Sequence, residues 1–168
     1  MKPGTLAVWT AVGAALLTVY FLGGRRTVEK SPPDVRWLAV SKESVRSITI
    51  REGSGAAVQL NREGGRWVRR TDTGVLPADT GAVESFLEMS ASLRGIEVVS
   101  DSPAKLGLFG LDEASATSIA IEDTSLSTVF HAGKSGPDGD VTYMRRGAEP
   151  EIWSVRGFDM WRLKRLSE

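Results

Sequence analysis

An α+β fold, with antiparallel β meanders packed with one main amphipathic helix and a single transmembrane helix before them, is what three observations predict. Residues 5–22 carry no charge and are mostly aliphatic or aromatic. Two groups of short segments alternate apolar and polar residues, as half-buried strands do. Between the groups lies one stretch whose apolar residues recur at helical spacing. The links within each group hold glycine and are too short for parallel crossovers, so the strands are expected to pair antiparallel.

The charge-free interval from Pro3 to Gly24 would span roughly 30 Å as a helix, the thickness of a bilayer's hydrocarbon core. Trp9 and Tyr20 lie near its ends, where amphipathic rings favour the headgroup boundary, and Lys2 and Arg25-Arg26 cap it with charge. A cleavable signal fits less well, because Leu22 breaks the small-x-small pattern before a cut after Gly24. The twin-arginine export motif places its pair before the apolar core, whereas here the pair follows. Residues 1–26 are therefore expected to be an uncleaved single-pass anchor in an inner or plasma membrane, with the lipid bilayer as their partner. The positive-inside rule alone would leave the rest in the cytoplasm, but long domains translocate largely regardless of charge.

Residues 27–43, with Ser31-Pro32-Pro33, read as a stiffened linker. Residues 44–168 have the length of one domain with one core. Lys+Arg and Asp+Glu both total 21, so no net field draws the chain to nucleic acid, and no nucleic-acid partner is expected. Cysteine is absent, which excludes disulfides and thiolate metal sites.

In order along the domain, Val45 to Arg51 places Ile48 and Ile50 on one face and Ser47 and Thr49 on the other. Glu52-Gly53-Ser54-Gly55 turns into a second strand at Val58 to Asn61, and Glu63-Gly64-Gly65 turns into a third at Arg66 to Arg69. After Pro77 the period changes. Ala82, Val83, Phe86, Leu87, Met89, Ser90 and Leu93 share one helical face, with Asp79 as N-cap and Gly95 as C-terminal stop. Ile96, Val98 and Val99 suggest a strand, and Ser102-Pro103 opens a short helical turn that Gly107 and Gly110 end. A second meander follows through Thr117–Ile121, Thr128–Ala132, Val141–Tyr143 and Ile152–Val155. Trp161, Leu163 and Leu166 mark a short closing segment with Arg162, Lys164 and Arg165 on its solvated edge.

Several residues resemble a known family in their order and spacing. Arg66-Trp67 follows a glycine turn, Pro77-Ala78-Asp79 opens the helix, Phe109-Gly110-Leu111-Asp112 follows it, and Gly133 precedes the strand of Tyr143. From about Val45 to Val155 the chain resembles the bacterial domain-of-unknown-function family 4340. The resemblance implies a membrane-tethered, largely extracytoplasmic, β-rich module, often encoded beside ABC-type transporter subunits of the gliding-associated kind. It implies no catalytic residues.

Residue patterns with chemical meaning are few. Gly133-Lys134-Ser135 ends like a phosphate-binding loop, but Thr128 stands where that pattern needs glycine, and Gly136-Pro137-Asp138-Gly139 leads to a strand and not to a helix. His131, the sole histidine, lies near Asp123, Ser125 and Ser127, a grouping that would matter only if folding gave it triad geometry. Zinc sites draw on several His or Cys ligands. Asp138-Gly139-Asp140 lacks the further acids of a calcium loop. Trp37, Trp67 and Trp153 read as core or cross-strand packing residues. No catalytic, cofactor-binding or metal residue is assigned. The expected function is that of a noncatalytic accessory or interaction module with an ABC transporter or envelope partner. The alternatives are an anchored hydrolase using His131 and a small-ligand sensor.

Overall fold

The computed structural model describes residues 35–71, 73–124 and 126–166. Their alternating segments form β1 (Val35–Arg36), β2 (Val45–Glu52), β3 (Ala57–Glu63), β4 (Arg66–Thr71), β5 (Gly74–Pro77), β6 (Arg94–Ser100), β7 (Thr117–Asp123), β8 (Ser127–Ser135), β9 (Val141–Arg146) and β10 (Ile152–Arg156). Helix α1 (Thr80–Ser92) joins β5 to β6, a 3-10 helix (Pro103–Phe109) precedes β7, and α2 (Met160–Lys164) follows β10.

All ten strands belong to one antiparallel sheet in the order β1-β6-β10-β9-β8-β7-β2-β3-β4-β5. The α+β expectation is thereby corrected: the fold is mainly β, a continuous sheet with short helices. The two meanders join because β7 pairs with β2, from Glu52 opposite Thr117 to Val45 opposite Asp123. Alternation tells which face of a strand is buried, but is silent on which strand lies beside it. Among the described residues no helix is long and apolar enough to cross a membrane. The membrane helix predicted within residues 1–26 lies outside the described residues.

One face of the sheet is apolar because its inward positions are. Ile48, Ile50, Leu60, Ile119, Ile121, Phe130, Met144 and Val155 are buried in one cluster with Val83, Phe86, Leu87 and Met89 of α1. Asp79 caps α1 as its sequence position predicts, its Oδ1 accepting from the Ala82 N–H at 3.1 Å. The helix ends at Leu93, and Gly95 lies in β6 instead of stopping it. A Cβ on Gly95 would stand 3.0 Å from both the Trp37 and Trp153 rings, so this glycine serves close packing.

Trp37, Leu38 and Val40 are core residues and Val35–Arg36 is a strand, so part of the segment read as linker belongs to the fold. The guanidinium of Arg146 lies 5.5 Å from the ring centroid of Trp37 and 5.2 Å from that of Trp153. Trp37 in turn meets Phe130 edge-on at 5.8 Å. The buried tryptophans Trp37, just after β1, Trp67 in β4 and Trp153 in β10 are thus packing residues. β5 has no counterpart among the strands that alternation predicts. It is a short edge strand, and its Val75 and Leu76 stay exposed.

Phe86 is fully buried at the centre of this cluster, so Phe86→Ala should lower unfolding stability by about 3–5 kcal/mol. Trp161 is 75% exposed, and its replacement by Ala should stay within roughly 0.5 kcal/mol. Urea denaturation of the two variants checks the contrast.

Candidate functional site

The opposite face of the sheet is polar, and residues 106–116 cross part of it as a strap. Gly110, at φ 67, ends the 3-10 helix in the left-handed conformation, and Leu111 N–H returns to Leu106 O at 2.9 Å. Asp112 then turns the chain, its Oδ1 accepting from Ala114 N–H at 3.2 Å. Two glycines, Gly133 in β8 and Gly53 in the turn after β2, let the strap approach. A Cβ on Gly133 would collide with the carbonyl of Phe109, and one on Gly53 with the carbonyl of Ala114. Gly53 N–H also donates to Ala116 O at 2.9 Å. Phe109 packs edge-on against Tyr143 of β9 with ring centroids 4.8 Å apart, and Lys134 Nζ donates to Leu108 O at 3.3 Å.

Between strap and sheet lies a cleft of about 780 Å³, within the range of small-molecule sites. Leu106, Leu111, Asp112 and Glu113 line the strap side. The sheet side is built from strand register. Arg51 lies opposite Ser118, Ser118 opposite His131, and His131 opposite Arg145. All four line the cleft, forming one row across β2, β7, β8 and β9. Among the described residues neither Arg51 nor Arg145 forms an ion pair, and Arg145 Nε is buried without a hydrogen-bond partner. Burial holds the His131 pKa below its usual 6.5, the Arg145 charge adds to the shift, and a hydrogen bond at the Gly147 backbone opposes it. Neutral imidazole therefore prevails at pH 7. The row presents two guanidinium groups, a hydroxyl and an imidazole, a set able to receive an oxyanion.

The residues singled out in the sequence are placed differently from a hydrolytic centre. Ser127 and His131 share a strand face but are four residues apart, roughly 13 Å at ~3.3 Å per residue. Asp123 Oδ1 accepts from Leu126 N–H at 2.7 Å in the β7–β8 turn, and Ser125 lies outside the described residues. Gly133-Lys134-Ser135 closes strand β8. Asp138-Gly139-Asp140 is a turn with Asp140 3.5 Å from Arg156. No group of three or more His, Asp or Glu that could hold a metal occurs among the described residues. Arg51, Ser118 and Arg145 were not legible as partners of His131. Only register brings them together.

A family model described as Domain of unknown function (DUF4340) matches residues 67–166. No curated protein and no solved structure matches the chain. The strap and the strands that carry Ser118, His131 and Arg145 all fall within the matched residues, and Arg51 precedes them.

Because the chain has one histidine, its imidazole can be titrated by proton NMR without assignment ambiguity. The His131 midpoint should fall below 6.5, and Arg145→Met should raise it, since a neighbouring positive charge is removed. Linkage fixes the sign for stability. With the folded pKa depressed, the unfolded chain binds the proton first as pH falls. The contribution of His131 is therefore complete above 6.5 and is lost as pH drops toward the folded midpoint. His131→Gln should flatten the melting temperature in that window.

Proposed function

We propose that this chain, which belongs to the DUF4340 family of domains of unknown function, is a noncatalytic accessory module that works by binding, with the strap-covered cleft as its working surface. The observation that carries this reading is the cleft itself. It is a concave recess of mixed polar and apolar lining on a sheet face whose counterpart is filled by the core, and the strap residues that bound it are held by backbone contacts at Gly53 and Gly133. A rigid scaffold that presents a lined recess is the usual arrangement for recognition.

The apolar run of residues 5–22 supports attachment to a membrane. An ABC-type transporter or another envelope protein is the partner class that fits an accessory module tethered there. A small-ligand sensor is the second reading, favoured by the cleft's volume of about 780 Å³, which suits a small molecule better than a protein surface.

Cell fractionation followed by affinity recovery tests the reading. The full-length chain should sediment with membranes, resist extraction by high salt and enter solution with detergent. Removal of residues 1–26 should release it. Cross-linking before detergent extraction should recover an envelope or transporter protein, and Gly133→Val, which displaces the strap, should reduce that yield severalfold. Full-length protein in the soluble fraction after detergent-free breakage overturns the membrane attachment. Recovery of the chain without any partner in every condition overturns the accessory role.

A further inference from the structure

We propose that the cleft is a binding site for a small molecule with one oxyanionic end, a phosphate ester or carboxylate, held across Arg51, Ser118, His131 and Arg145. The proposal rests on the reading of the cleft as the working surface and adds the chemistry of what enters it. Arg51 and Arg145 stand at the two ends of a row three strand spacings long, about 14 Å at ~4.8 Å per spacing. Arginine side chains are long enough to reach into such a row from both ends, and all four residues line the cleft. Arginine is the side chain best matched to carboxylate and phosphate, because its planar fork donates two parallel hydrogen bonds.

Both arginines line the cleft. Among the described residues neither forms an ion pair, and the buried Arg145 Nε has no acceptor. The Ser118 hydroxyl adds a donor, and the imidazole supplies another on whichever ring nitrogen holds its proton. Leu106 and Leu111 give the strap side an apolar wall. Asp112 and Glu113 also face the cleft from the strap, so negative charge is received on the sheet side and repelled on the other. That asymmetry selects a ligand charged at one end, with a neutral or cationic remainder against the strap.

Titration of the full-length chain in detergent with phenyl phosphate, inorganic phosphate and benzyl alcohol tests this, read by the His131 proton resonance and its pH midpoint. Phenyl phosphate and inorganic phosphate should shift the resonance saturably and raise the midpoint, since a bound anion offsets the Arg145 charge and favours the imidazolium. Binding should tighten as pH falls. Arg51→Met and Arg145→Met should each weaken binding by roughly 10-fold or more, with a melting temperature that does not fall showing that the fold is kept. Sodium chloride at equal ionic strength separates site binding from screening.

If benzyl alcohol binds as well as phenyl phosphate and the arginine variants make no difference, the oxyanion assignment is overturned while the cleft remains a binding surface. If no probe moves the resonance beyond the chloride control, the assignment and the cleft as working surface both fall. A phosphate response that survives both arginine replacements also overturns the assignment.

Discussion

The pairing of β2 with β7 governs both faces of this protein. On the inner side it sets Ile48 beside Ile121 and Ile50 beside Ile119, all buried against α1. On the outer side the same register sets Arg51 beside Ser118. Because side chains alternate with a period of two, a slip by one residue would exchange the faces, exposing the isoleucines and burying the arginine. The cost of such a slip is of the order of ~1.5–3 kcal/mol for each large apolar side chain exposed. Core burial therefore fixes the position of a polar row that contributes nothing to the core.

The strap is held by a second constraint, the absence of side chains at Gly53 and Gly133. Each gives a carbonyl of residues 106–116 room to lie against the sheet, Phe109 in one case and Ala114 in the other. Gly53 also adopts φ 50, a conformation in which side-chain-bearing residues are strained. Where the strap approaches at these two points the backbone is fixed, and between them the recess stays open. The volume of the cleft thus follows from a few close backbone contacts, and its row of polar side chains from strand register.

Much of this fold was legible along the chain, and little of it across the chain. Local alternation located most strands, the helical stripe located α1, and Asp79 was readable as its cap because an acceptor at that position satisfies a free N–H. β5 leaves no pattern in the sequence because Gly74 to Pro77 is too short to alternate and its apolar residues remain exposed. Gly95 has the position of a helix stop because glycine after an apolar stripe usually ends a helix, whereas here it makes room for Trp37 and Trp153. The single sheet was illegible for a different reason. The β2–β7 contact joins residues some seventy positions apart, and no pattern in either segment names the other. His131 could be singled out by its rarity, but its neighbours Ser118 and Arg145 are fixed by pairing, and the nearby serines and Asp123 are sequence neighbours only.

Arg145 and Arg146 show why the outer row differs from a structural use of charge. They are adjacent on β9 and point to opposite faces, and in each the Nε is buried without an acceptor. Such a group ordinarily costs about 1–3 kcal/mol in lost hydration. For Arg146 the cost is offset inside the protein, since its guanidinium stands between Trp37 and Trp153 and 3.9 Å from Glu149. A desolvated cation over aromatic faces gains roughly 0.5–2 kcal/mol per ring. Arg145 has no comparable partner among the described residues, and it stands beside His131, whose proton affinity it lowers. A sheet selected for stability alone would place a neutral side chain there. The same chemical group is thus compensated on the core face and left open on the cleft face, and the missing compensation is what an incoming oxyanion would supply.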